Sequence, residues 1–412
     1  MSVETKMAWR NIWRNPRRTL LTVCAITFAS VLLVFMLSFQ FGSYETMINT
    51  SVKISTGHLQ VQAEPYQEKK SIRFVIPEPQ AIAKVVEQIP EIAAYTFRGQ
   101  AFALISSADR TYGVVLTGID PQKEARVSRL KQLVREGHFL ASNDRNQAVV
   151  GKLLARNLRA RIGDELTLLG QGRDGSIAAT VVSVKGIFSS GIDEFDRATM
   201  QIPLTTFQDT FSMDQAVHEI VIVGKSLSDV AGIKAKLQRA LWALEGRKKL
   251  KTLDWQELMP GLRQAIEMDL ISGLIFYGLL IIVVAFSILN TFLMAIFERT
   301  KEFGVMMAIG TTPRRLTKIL LLESMTITLI GIIAGIGIGI GITAYFQVHG
   351  IDFAGGSELL SQFGITGRMY PKLSFLSVTI GPFMVLFFTF FAALYPALKI
   401  RRLLPVDAMT AV

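Results

Sequence analysis

The sequence predicts a membrane protein in two parts: an α-helical unit of four transmembrane helices and an α+β domain outside the bilayer. Three observations carry this. Half of the 412 residues are hydrophobic, mean hydropathy is +0.38 and 19% are charged, against roughly 25% charged in soluble domains. The apolar residues gather in four blocks, each long enough for a helix to cross about 30 Å of hydrocarbon. Between the first two blocks lies a long interval of ordinary composition, large enough to bury a core of its own.

The blocks are 19–42, 270–297, 319–348 and 373–398. Three carry no charged residue, and the third carries only Glu323, near its start. Lys6, Arg10, Arg14, Arg17 and Arg18 precede the first block, as basic residues precede a signal peptide. Its apolar stretch exceeds the roughly 7–15 residues of a signal core, and no small-residue cleavage site follows, so it is read as a retained span. Cys24, the single cysteine, lies within it and excludes an intramolecular disulfide.

Charge sets the orientation. Residues 1–18 carry five Lys/Arg and residues 298–318 carry another five; Lys399, Arg401 and Arg402 stand in 399–412. The loop 349–372 has only Arg368 and Lys372. The positive-inside rule therefore predicts both termini and the 298–318 connection in the cytoplasm, with 43–269 and 349–372 outside. Most of the formal net charge of +11 resides in the three cytoplasmic segments; the external segment holds 29 basic against 26 acidic residues. The excess is thus a topology signal, and nucleic acid is not a predicted partner.

Within 43–269, alternation at 57–62 predicts a strand with Leu59 and Val61 inward and His58, Gln60 and Gln62 on the open face. Ile82, Val85, Val86 and Ile89 are helically spaced over 79–89, before Pro90. Strands are predicted at 96–106, 111–118, 147–150, 165–169, 177–187 and 219–223. Over 228–245 an amphipathic helix turns Ile233, Leu237, Leu241 and Leu244 inward and Lys234, Lys236 and Arg239 outward. The run 247–251 reads as a solvated turn. The order of elements predicts an α/β part, 43–125 and 215–269, interrupted by a β-rich part, 126–214.

No catalytic constellation emerges. His58, His138, His218 and His349 are scattered, and the residues after His218 break the HExxH spacing. At 186–191 a glycine-rich turn is followed by Ile192 and Asp193, where a phosphate loop needs Lys and Ser/Thr, so no ATP site is recognised. The acidic group Asp193, Glu194 and Asp196 reads as a solvated loop. No metal or cofactor site is predicted.

The membrane segments offer mechanics instead. Gly331, Gly335 and Gly339 recur every four residues on one face of the third span, where close helix packing is expected. Pro382 and Pro396 interrupt the fourth span and are expected to kink it. In the 298–318 connection, Phe303, Met306, Met307 and Gly310 sit at i, i+3, i+4 and i+7, defining a short helix with one apolar face. Gly310 is placed to end it, with Thr312 as the next cap and Pro313 at the first position of the following helix. Such a helix lies on the membrane surface or docks into a groove of a soluble partner. At the N-terminus, Trp9 and Trp13 are four apart beside Ile12, amid Arg10, Arg14 and Arg17, an interfacial pattern.

The stretch ERTKEFGVMMAIG, 298–310, resembles the R-x-x-E-[FI]-[GA]-x-x-[KR]-A-[LI]-G motif of MacB/FtsX-type permeases of ABC transporters. Arg299, Glu302, Phe303, Gly304, Ala308, Ile309 and Gly310 match, and Met307 stands where Lys or Arg is common. Glu323 matches a frequent acidic residue at the start of the third span. AWRNIWRNPRR, 8–18, is similar to the family's opening. Layout and motifs cover the whole chain. The resemblance implies a MacB-like (type VII) ABC permease in the bacterial inner membrane, with a periplasmic domain at 43–269. Two permeases, identical or homologous, would pair on a cytoplasmic ABC ATPase dimer, with ATP and Mg on that partner and no cofactor here. Glu298, Arg299, Glu302, Phe303, Gly304, Met307, Ala308 and Gly310 would form the ATPase-coupling helix, with membrane lipid around the spans. In layout the chain is most similar to the LolC/LolE-like lipoprotein-releasing permeases, which implies lipoprotein release and a periplasmic or lipoprotein acceptor. MacB-like efflux of peptides or small molecules, and FtsX-like signalling to a periplasmic regulator, are the alternatives.

Overall fold

The computed structural model describes residues 3–243, 249–352 and 368–399. Contacts divide the chain into a membrane unit, built from the spans, and a second unit formed mainly by residues 45–265.

Among the described residues, four helices are long and apolar enough to cross a membrane. Span 1 is Pro16–Ser51, span 2 Pro260–Glu298, span 3 Pro313–His349 and span 4 Phe375–Lys399. Spans 1 and 2 continue as helix past the apolar blocks, because neither 43–51 nor 262–269 contains a proline and only Gly57 stops the first. Ile26, Leu33, Ile281, Phe292, Ile327 and Val385 meet in the unit's core.

The glycine stripe of span 3 packs on span 1. A Cβ added at Gly331 would lie 2.8 Å from Ile26, at Gly335 2.4 Å from Ser30 and at Gly339 3.1 Å from Val34. Thr27 Oγ1 donates to the Gly331 carbonyl at 3.1 Å. This close approach is within one chain. Span 4 is assigned as helix through both Pro382 and Pro396, so neither proline breaks it.

The second unit is built on one mixed ten-stranded sheet, ordered β10-β1-β9-β2-β3-β8-β5-β7-β4, with β6 on β2 and β7. The strands are β1 Leu59–Ala63, β2 Ile92–Ser106, β3 Thr111–Ile119, β4 Val134–Gly137, β5 Gln147–Gly151, β6 Glu165–Gln171, β7 Ile177–Phe188, β8 Thr199–Pro203, β9 Glu219–Gly224 and β10 Leu250–Asp254. The pairs β3–β8 and β5–β7 are parallel and the rest antiparallel. The long strand β2 joins the two anticipated parts. Its first half pairs with β9 and its last residues pair with β6. The larger apolar core, including Ile105, Leu116, Val150, Leu168 and Phe207, therefore draws on strands either side of residue 126.

Several local expectations change. His58, Gln60 and Gln62 are buried, not solvated, because β1 is a central strand between β9 and β10 with both faces covered. The helix over 228–245 is a 3-10 turn, Leu227–Asp229, followed by Val230–Ala243; Leu244 lies outside the described residues. Lys234 is not free in solvent: it donates to Asp254 and Glu257. Of the run 247–251, Leu250 and Lys251 belong to β10, while 247 and 248 lie outside the described residues. Asp196 is buried and accepts from Ser189 and Ser190, fixing its own loop.

The sheet also buries charge. Arg98 on β2 donates through Nε and Nη2 to Glu124 at 3.0 and 2.6 Å, and both side chains are almost wholly buried. Burial opposes the Arg98 charge, but Glu124 more than offsets this and holds its pKa above the ordinary value. His218 accepts from Gln100 N–H at Nδ1 (2.9 Å) and donates from Nε2 to the Ile72 carbonyl (3.0 Å). Burial pushes it down to about 4, so it is a neutral structural histidine. His58 is likewise lowered by burial; its Nδ1 accepts from Gly224 N–H.

Candidate functional site

The connection between spans 2 and 3 holds the residues of the sequence motif. Span 2 ends at Glu298, and Arg299 (φ −105°, ψ 6°) leaves helical geometry and turns the chain. A short loop helix, Thr300–Ala308, follows. Gly310, at φ +103°, ends it in a conformation that favours glycine. Thr312 takes the N-cap position of span 3 with Pro313 behind it, though its side chain makes no capping bond.

The loop helix is rooted in its own chain. Phe303 and Met307 are buried against Ile296, Leu316 and Leu320, and Gly304 is buried beside them. Arg299, 8% exposed, reaches Glu302 and Glu323, each at 3.3 Å. Its guanidinium also lies 5.4 Å from the centre of the Phe303 ring, within cation–π range. Arg299 thus ties the end of span 2 to the beginning of span 3 across the loop helix.

The N-terminal helix, Val3–Ile12, completes the arrangement. Arg14, just after it, donates to Glu302 at 2.5 Å. This bond holds the Glu302 carboxyl below its ordinary pKa. Arg18 pairs with Glu298 at 2.9 Å and also donates to the Thr291 carbonyl. Glu4 meets Arg315 at 3.3 Å. Arg14–Glu302 is half exposed and contributes at most about 1 kcal/mol. Arg299–Glu323 is mostly buried, and removing either partner would leave an uncompensated charge.

The eight residues singled out from sequence therefore separate. Arg299, Phe303, Gly304 and Met307 face inward and set the helix in place. Glu298, Glu302, Ala308 and Gly310 are exposed. Of the apolar stripe read from spacing, Phe303 and Met307 are anchored and Met306 is half-buried, while Gly310 is exposed. The outward apolar surface is instead Val305, 49% exposed, and Ile309, 81% exposed, flanked by Lys301 and Ala308. A helix rooted in this way presents a small apolar crest that a partner can grip. Among the described residues no group of three or more His, Cys, Asp or Glu is placed to hold a metal.

Val305 and Ile309 lie on the side of the helix that bears Lys301 and Glu302, so the spacing of Phe303, Met306 and Met307 does not point to them. The ion partners Arg14 and Arg18 lie some 280 residues from theirs, a pairing that no local spacing encodes.

Comparison with known proteins agrees with this architecture. Residues 19–240 match the MacB-like periplasmic core domain, and residues 274–405 match the FtsX-like permease C-terminal family. The chain belongs to the MacB/FtsX-type permease family of ABC transporters. Among its relatives is the lipoprotein-releasing system transmembrane protein LolC of Xylella fastidiosa, 23% identical over 73% of this chain and 74% of the relative. The corresponding LolE of Haemophilus influenzae is 23% identical over 90% of this chain and 89% of its own length. The macrolide export ATP-binding/permease protein MacB of Agrobacterium fabrum is 24% identical over 86% of this chain and 54% of its own length.

Proposed function

We propose that this permease couples ATP hydrolysis by a separate ABC ATPase dimer to the release of lipoproteins from the bacterial inner membrane. The observation that carries the mechanical part is the loop helix, rooted through Arg299 and Phe303 and presenting Val305 and Ile309 outward. On this reading each ATPase subunit grips that crest from the cytoplasm. Closure of the ATPases around ATP and Mg moves the loop helix, and the Arg299–Glu302–Glu323 cluster passes the movement to spans 2 and 3 together. Spans 1 and 2 continue as helix into the sequence of the second unit, which supports their role as the levers of a periplasmic domain. A second permease, identical or homologous, completes the pair, and both termini are cytoplasmic.

Support for lipoprotein as the substrate comes from LolC and LolE, matched over 73% and 90% of this chain. The MacB relative favours a second reading, efflux of a peptide or small molecule from the periplasm. Proteoliposomes holding the permease, its ATPase and a lipidated protein separate the two. ATP-dependent transfer of the lipidated protein to a soluble acceptor is expected. ATP turnover that leaves every lipidated protein in the bilayer would overturn the substrate assignment.

A further inference from the structure

The N-terminal helix holds side chains that the coupling scheme does not use. Its inward side is Ala8 and Ile12, each 1% exposed. Its outward side carries Trp9, 46% exposed, in edge-to-face contact at 6.0 Å with Trp13, 60% exposed in the turn that follows. Lys6 and Arg10 are exposed beside them and make no ion pair with any described residue. Indole rings and cations share one face, where a soluble helix would present charge alone.

The chain fixes the depth of this face. Thr19 Oγ1 donates to the Ile12 carbonyl at 2.6 Å, closing the elbow between the helix and span 1. Span 1 starts at Pro16, so the two indoles lie within a few residues of a helix that crosses the bilayer. Tryptophan is favoured at this depth because its ring is apolar and its N–H needs a polar partner. Lysine and arginine there extend toward phosphate.

We propose that this outward face is a docking surface for an anionic lipid leaflet, with Lys6 and Arg10 taking headgroup phosphates and Trp9 and Trp13 entering the headgroup–acyl boundary. The leaflet's hold on the helix also steadies the loop helix, because Arg14 leaves the same elbow to meet Glu302 at 2.5 Å. Lipid charge therefore regulates how firmly the coupling element is braced, whatever the transported substrate.

The test uses the full chain in nanodiscs, without an ATPase, so its outcome is independent of the substrate assignment. Discs of phosphatidylcholine and phosphatidylglycerol are made with one lipid or the other brominated near the glycerol end, and tryptophan fluorescence is read. Trp9 and Trp13 should be quenched, more by brominated phosphatidylglycerol at equal mole fraction, and W9F/W13F should remove that quenching. Lys6→Gln with Arg10→Gln should lower the headgroup preference, by about fivefold per cation. Amide exchange over Thr300–Ala308 should be faster in pure phosphatidylcholine than in the mixture. Absence of quenching would give the face to a protein partner and overturn the lipid assignment. Equal quenching by both lipids would overturn the anionic assignment, and exchange indifferent to composition would overturn the link to the loop helix.

Discussion

Single residues in this chain do structural work that their chemistry alone disguises. Arg98 and Glu124 form a two-pronged, fully buried pair in the sheet. Truncation to Arg98→Ala leaves the buried Glu124 carboxyl without its partner, so the folded domain should lose roughly 3–5 kcal/mol, measured by denaturant unfolding of the full chain. His218 gives a pH dependence whose sign is fixed by its environment. Its folded pKa, about 4, lies below the unfolded value of 6.5. Its stabilising contribution is full above pH 6.5 and declines as pH falls toward 4, a span of roughly 3 kcal/mol. Unfolding midpoints should fall over that window. In His218→Gln, whose amide retains both a donor and an acceptor, the slope should flatten. An unchanged slope would locate the titration elsewhere.

At the scale of elements, the spans show what sequence reveals and what it hides. Four apolar blocks and the four-residue glycine rhythm were legible because bilayer thickness and close packing act on local composition. The partner of the rhythm was not, since Ser30 and Val34 lie some 300 residues away. Gly335→Leu would force side-chain atoms into Ser30 and the Thr27 carbonyl, 2.4 and 2.8 Å from an added Cβ. The span 1–span 3 contact should be destabilised by at least about 1–3 kcal/mol, seen as a lower aggregation temperature in detergent. Gly337→Leu, where nothing lies within 4 Å, should be tolerated. In the outer domain, β1 was misread in its polar half because alternation reports side-chain chemistry, not which sheet faces are covered. Gln60 and Gln62 keep a polar pattern while buried, Gln62 donating to Gln60 and Gln60 to the Thr56 carbonyl. The loop helix shows the same limit: spacing established the helix but could not say that Phe303 and Met307 turn toward home.

At the scale of the whole molecule, the proposed coupling lets a partner's ATP energy enter through the loop helix. Its inward half is packing and its outward half is contact, so the two can be changed separately. Val305→Asp with Ile309→Asp places charge on the exposed crest while leaving Phe303, Met307 and the Arg299 cluster untouched. The most direct measurement is paired ATP turnover and lipoprotein release by the reconstituted transporter carrying this double substitution. The account predicts that the permease still inserts and keeps its outer domain folded, yet loses the ATPase from the complex and at least tenfold of release. Normal ATPase retention and normal release in that variant would contradict it.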